Sequence, residues 1–197
     1  MDPATIPILI GAYLLGSVDF GVIVPKLRGV DIYSVGSGNP GTSNVLRTMG
    51  KGAAAAVMLG DVLKGFVAAM VGDLVVGEAV GFAAGMLAVV GHCYPVWYRF
   101  KGGKGVATAG GSVFWLEPLL GIGFSVLWGG LVATTKRASI ASLVLVLVYV
   151  PGMALFGHRN WSLVWAGATA LLILVRHQGN IRRLLGGSEH TVGGASA

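Results

Sequence analysis

Three polar, glycine-rich stretches hold most of the side chains that could do chemistry in this 197-residue chain. The first, residues 35–50, reads VGSGNPGTSNVLRTMG and carries Ser37, Asn39, Thr42, Ser43, Asn44 and Arg47 among four glycines. Small residues free backbone N–H groups to point at an anion, and TSNVLRTMG can form one or two helical turns capped by Thr42 or Ser43. The N-terminus of such a turn favours negative charge. A flexible connector is the alternative, but a plain loop has no need of so many donors. The second stretch, residues 91–108, reads GHCYPVWYRFKGGKGVAT; Lys101 and Lys104 flank Gly102 and Gly103. Closely approaching amides beside a lysine point charge suit a phosphate. A Walker A loop is absent. Lysines placed there only to hold topology would not need the glycine pair, whereas Tyr94, Trp97 and Tyr98 read best as an interfacial aromatic belt. The third stretch, residues 176–190, reads RHQGNIRRLLGGSEH. His177 and Asn180 are three apart and share a helix face. Histidine is suited to proton transfer near neutrality. Arg182 and Arg183 read equally well as lipid anchors, which His177, Asn180 and Glu189 do not.

The elements that position these stretches must be membrane helices. Hydrophobic residues make up 54% of the chain, charged residues only 11%, and the mean hydropathy is +0.77. A soluble domain of this size has too much surface for so few charges. Apolar stretches fall near 4–25, 53–72, 79–97, 105–134, 139–156 and 161–175. Each crossing needs about 20 residues for about 30 Å of hydrocarbon. The fourth is too long for one span and is interrupted by Glu117-Pro118, a pair that belongs at an interface. Splitting it at 105–116 and 119–134 gives seven spans, the first piece being short for a full crossing. With the N-terminus outside, twelve of the fourteen Lys and Arg residues fall on the cytoplasmic face and Arg159 alone on the other, with Asp2, Asp73, Glu78 and Glu117. That asymmetry follows the positive-inside rule and collects all three polar stretches in the cytoplasm with the C-terminus. The expected fold class is thus an all-α integral membrane bundle of seven helices, a single domain over 1–197, with 191–197 as a flexible tail. MDPATIPILI lacks the basic start of a cleaved signal peptide, and the lone Cys93 forms no internal disulfide.

Two features inside the spans stay open. Asp61 and Lys64 form either a structural ion pair or a substrate-contacting lysine, and Asp19 is similar; intramembrane charges need partners. Ser139 and Ser142 open the sixth span on the same face, where helical serines often serve packing.

The motifs AYLLGS (12–17), 35–50, DVLKG (61–65), 91–108 and 176–190, in this order and spacing, resemble the bacterial acyl-phosphate:glycerol-3-phosphate acyltransferases of the PlsY type. The likeness spans nearly the whole chain. It implies transfer of a fatty acyl group from acyl phosphate to the 1-hydroxyl of sn-glycerol 3-phosphate, giving lysophosphatidic acid and phosphate. It also implies a seven-helix bundle in the bacterial inner membrane. It places the family's serine and arginine on Ser37 and Arg47, its phosphate loop on Gly102, Gly103 and Lys104, and its histidine, asparagine and glutamate on His177, Asn180 and Glu189. The serine before the sixth span fits Ser142 best, with Ser139, three residues earlier, as the other register. Gln178-Gly179 departs from the bulkier residues of relatives but keeps the spacing. With Ser37, His177, Asn180 and Glu189 as candidate catalytic residues, the expected substrate-binding set is Arg47, Lys104, Gly102, Gly103, Ser142, Asn39, Asn44, Lys101 and Lys64. No cofactor, metal or nucleic acid is expected. The expected partners are the two substrates, membrane lipid and transient contact with the enzyme that forms acyl phosphate, around a monomer. The rival class is a transporter of a small phosphorylated anion, which needs polar residues reaching the outer face; the outer loops here are short, acidic and poor in donors.

Overall fold

Glycine and alanine stripes decide how the helices of this protein meet, because apolar side chains gain little by leaving lipid for one another. The computed structural model describes residues 2–192; positions 193–197, most of the expected tail, lie outside the described residues. Ten α-helices follow one another: α1 (Thr5–Gly16), α2 (Phe20–Lys26), α3 (Thr42–Met49), α4 (Lys51–Val75), α5 (Glu78–Cys93), α6 (Val106–Leu116), α7 (Pro118–Thr135), α8 (Ala138–Leu155), α9 (Trp161–Arg176) and α10 (Gln178–Leu185). Short 3₁₀ turns at Ile32–Ser34 and Val96–Tyr98 complete the described structure. Five segments are long and apolar enough to cross a membrane: Thr5–Lys26, Lys51–Val75, Glu78–Tyr98, Pro118–Thr135 and Ala138–Leu155. Apolar helices α6 and α9 are shorter. Leu119 and Val126 of α7 are 70% and 71% exposed, which fits a lipid-facing helix and not one facing water.

The first hydrophobic stretch is not one helix, as its composition suggested. It breaks at Ser17–Asp19, where the Asp19 carboxylate accepts the Gly21 N–H and so starts α2. The Val18 carbonyl accepts from Lys64 Nζ at 2.9 Å. The Glu117-Pro118 break is as expected: α6 stops at Leu116 and Pro118 occupies the first turn of α7, where its missing N–H costs nothing. At the start of α3 neither Thr42 nor Ser43 is the cap. Gly41 holds that position, in extended conformation, with no side-chain hydrogen bond.

Helix α4 crosses α6 at near-backbone contact. A Cβ on Gly65 would lie 1.9 Å from the Thr108 carbonyl oxygen, and one on Gly111 would lie 1.9 Å from that of Val62. Ser112 Oγ donates across the same seam to Gly65 O. Gly65→Ala is therefore expected to cost about 1–3 kcal/mol through forced separation of two helix backbones. Thermal unfolding in detergent should show a clear loss of Tm for Gly65→Ala and none for Gly167→Ala, where nothing lies within 4 Å. Equal Tm values for the two would refute the seam as a folding determinant.

Candidate active site

One cavity of about 670 Å³ joins the polar stretches to an apolar trench. Its polar end is lined by Ser37, Asn39, Arg47, Lys104, His177 and Asn180; its apolar end by Phe114, Gly121, Phe124, Leu145 and Tyr149 of α6, α7 and α8. Asn44, Ser142 and Glu189 also line it, so most of the residues selected from the sequence converge there.

The loop before α3 is held from inside. Asn44 is buried; its Oδ1 accepts the Ser37 N–H at 2.9 Å and its Nδ2 donates to Val35 O at 3.0 Å. Gly36 takes a positive φ of 57°, and a Cβ there would fall 2.2 Å from Asn44 Oδ1. Asn44 thus spends its amide on the loop that presents Ser37. Arg47, one turn on, donates to Asn44 Oδ1 at 3.3 Å and to the Thr191 carbonyl at 3.2 Å. Its pKa is lowered, first by burial.

The second loop differs from the expected cradle of glycine amides. Gly103 N–H is already given to His92 O at 3.1 Å, and Gly102 and Gly103 do not line the cavity. Their carbonyls are taken by Arg176, whose Nε donates to Gly103 O at 3.0 Å and whose Nη2 donates to Gly102 O at 2.7 Å. Tyr33 Oη donates to Lys101 O, and Lys101 itself is exposed and off the cavity. The glycines allow close approach: a Cβ on Gly102 would meet His92 O at 2.0 Å and one on Gly103 would meet His92 Nε2 at 2.2 Å. What the loop presents to the cavity is Lys104, followed by Gly105 at φ 81° starting α6. Burial, ahead of the neighbouring charges, pushes Lys104 down to about 8.

The third stretch closes the site. His177 Nδ1 lies 2.8 Å from Ile173 O. A carbonyl only accepts, so Nδ1 carries the proton and Nε2 keeps its lone pair. Burial, then the Lys104 charge, pushes His177 down to about 4, so it is neutral near pH 7. Asn180 Nδ2 donates to Glu189 Oε1 at 2.6 Å, and Arg183 Nε donates to Glu189 Oε2 at 2.9 Å. Burial would raise the Glu189 carboxyl, but these hydrogen bonds, the neighbouring Ser139 and the Arg183 charge together hold it below its usual value. Glu189 therefore fastens the C-terminal segment, whose Val192 N–H reaches Lys136 O at 2.7 Å. Of the two serines of α8, Ser142 donates to Ala138 O and accepts from Trp128 Nε1, while Ser139 Oγ has no hydrogen-bond partner among the described residues.

Lys64 stands apart from the expected binding set. It is 2% exposed, does not line the cavity, and lies 2.9 Å from Asp61 Oδ1 and 2.8 Å from His92 Nδ1 as well as donating to Val18 O. Of the two readings left open, the structural ion pair is the one this geometry fits. Two residues with a hand in the site went unselected in the sequence. Arg176 resembles any positive residue at a cytoplasmic helix end, and His92 resembles any histidine on an apolar helix; only the neighbouring glycine pair hinted at what surrounds them.

Fold and site together define a membrane-embedded protein that gathers cations, a neutral histidine and an apolar trench into one cavity, as a transferase joining a phosphorylated solute to a lipid requires. The family model described as glycerol-3-phosphate acyltransferase matches residues 6–187. The glycerol-3-phosphate acyltransferase of Rubrobacter xylanophilus is 43% identical over 190 residues, covering 96% of this chain and 95% of the relative. That of Hyphomonas neptunium is 44% identical, covering 93% and 90%. The crystal structure of PlsY (YgiH), an integral membrane glycerol 3-phosphate acyltransferase, in its glycerol 3-phosphate form superposes with a TM-score of 0.92 at 39% identity over 95% of each chain. Its lysophosphatidic acid form gives 0.90. The chain belongs to the glycerol-3-phosphate acyltransferase family.

Proposed function

We propose that the protein is an acyltransferase that moves a fatty acyl group from acyl phosphate to the 1-hydroxyl of sn-glycerol 3-phosphate, releasing lysophosphatidic acid and phosphate. The single observation that carries this reading is the continuity of the cavity, cationic at one end and apolar at the other. Arg47 and Lys104 hold the phosphates of the two substrates, and Ser37, Asn39, Asn180 and a serine of α8 surround them. The acyl chain lies in the trench between α6, α7 and α8. The glycerol oxygen attacks the acyl carbon, the bond from that carbon to the phosphate oxygen breaks, and the hydroxyl proton leaves on a phosphate oxygen. His177 Nε2 accepts a hydrogen bond from the other, unreacting glycerol hydroxyl and so orients the attacking one. An acyl phosphate is already activated, so positioning and charge stabilisation supply most of the rate.

The same reading makes α1–α2, α4, α5, α6, α7, α8 and α9 seven spans of a single-domain, monomeric bundle in the bacterial inner membrane. The N-terminus lies outside, and the site and C-terminus lie in the cytoplasm, within reach of the enzyme that forms acyl phosphate. The charge asymmetry supports this, as does the placement of Asp73, Glu78, Glu117 and His158 around ion pairs and hydrogen bonds remote from the cavity. At about 1.5 Å per residue, α6 and its 11 residues reach only part of the way across, so the bilayer thins or the preceding loop enters it there.

Purified protein in detergent, given acyl phosphate and glycerol 3-phosphate, should form lysophosphatidic acid. No product, together with glycerol 3-phosphate uptake into proteoliposomes, would replace this reading by transport. Transfer is direct: rapid mixing with radiolabelled acyl phosphate alone should leave no acyl group on Ser37, and a stable protein-bound acyl group lost in Ser37→Ala would overturn direct transfer.

A further inference from the structure

Beneath the glycine loop, Asp19, Asp61 and His92 bring ligand atoms within 4.8 Å of one another, a grouping that resembles a cation site. The cation there is Lys64. Its ammonium pairs with Asp61 Oδ1 at 2.9 Å, donates to Val18 O at 2.9 Å and lies 2.8 Å from His92 Nδ1. An ammonium has no lone pair, so the third contact requires a bare Nδ1 and places the His92 proton on Nε2. The longer approach of His92 Nδ1 to Asp61 Oδ1, 3.5 Å, fits the same assignment. Nε2 is the atom that a Cβ on Gly103 would touch, and that Cβ would also lie 3.1 Å from the Pro40 carbonyl oxygen. His92 lines the cavity, and its own carbonyl holds Gly103 N–H. Its ring thus stands where the loop before α3, the glycine loop and the cavity meet.

We propose that His92 is a positioning residue for Lys104: the buried Asp61–Lys64 pair fixes its ring, the Nε2 edge packs under Gly103, and the His92 carbonyl holds the Gly103 N–H. This rests on the proposed acyl transfer for its kinetic consequences. The structural part stands without it. Lys64, which does not line the cavity, acts on the substrate through His92, which accounts for a charged pair inside a membrane helix at a cost. Asp19 completes the enclosure: its Oδ1 is held by Gly21 N–H, and Gly21 packs against the same Pro40 carbonyl.

The test begins with ¹⁵N NMR of histidine-labelled protein in detergent, with His92 assigned by His92→Asn. A bare Nδ1 and a protonated Nε2 are expected from the contact with the Lys64 ammonium; an Nδ1–H form overturns the proposal. Kinetics of turnover form the second arm. His92→Asn keeps an acceptor opposite Lys64 but removes the atom under Gly103, so KM for glycerol 3-phosphate should rise ~10-fold or more with a smaller change in kcat. His92→Gln, which returns an atom to the Nε2 position under Gly103, should recover most of that loss. The double variant Asp61→Asn/Lys64→Met, which leaves no buried charge unpaired between the two, should release the ring and raise KM as His92→Asn does. Unchanged KM in His92→Asn at wild-type Tm, or no recovery in His92→Gln, sinks the proposal. Absence of turnover in the wild-type protein would instead count against acyl transfer, and the NMR result would still judge His92.

Discussion

Replacing Lys104 by methionine is expected to lower kcat/KM by about 10³-fold, because on the proposed reading it removes the cationic point charge that holds a substrate phosphate. The fold should survive. Lys104 lines the cavity, burial disfavours its charge, and an apolar chain of similar length fills the same space. The loop keeps its shape through His92 and Arg176, which bind its backbone and not the lysine side chain. A pH signature accompanies the loss. Burial pushes Lys104 down to about 8, so it is charged below that pH and neutral above it. In the wild-type protein KM for glycerol 3-phosphate should rise as pH increases through about 8. Bound phosphate favours the charged lysine and moves the same break higher in kcat. Lys104→Arg, always charged, should show a flatter KM profile at reduced kcat. A Lys104→Met variant within tenfold of wild type, or a KM independent of pH between 7 and 9, would remove Lys104 from the phosphate site.

The second large effect falls on His177. His177→Ala should cost about 10²-fold in kcat, whereas His177→Gln, which offers a carbonyl oxygen in place of the Nε2 lone pair, should stay within about tenfold. The reason lies in its surroundings. Its Nδ1–H is committed to Ile173 O, and burial and Lys104 hold its pKa at about 4. A base that weak accepts a hydrogen bond from a glycerol hydroxyl well and takes the proton outright poorly. Because the pKa is lowered, His177 is neutral everywhere above about pH 4, and kcat should show no histidine inflection between pH 5 and 7.5. A loss of about 10³-fold in His177→Gln, or an inflection near pH 6.5 that the variant abolishes, would make His177 the general base.

Much of the architecture was legible in the residues themselves. The scarcity of charge made this a membrane bundle, and Glu117-Pro118 marked the junction of α6 and α7 within a residue. The first stretch misled because hydropathy averages over a window: VDF at 18–20 reads as one polar interruption, and only Lys64 from α4, bonding the Val18 carbonyl, makes a broken helix tolerable there. The glycine pair at 102–103 misled for a related reason. Sequence shows that a Cβ is absent but not what occupies its space, and here the occupant is His92.

The sequence by itself determined the helical class, the one-sided gathering of polar stretches, and the family, because composition, motif order and spacing are properties of the chain. Only the tertiary structure decided how donors and acceptors are shared out: Lys64 and Gly103 N–H are spent inside the protein, while Lys104 and His177 Nε2 line the cavity uncommitted among the described residues. Hydrogen bonds are exclusive, short-ranged and directional, so which partner wins depends on elements far apart in the chain. That is how the polar stretches that first mark this protein become a cavity that one lysine lines while the other is buried behind it.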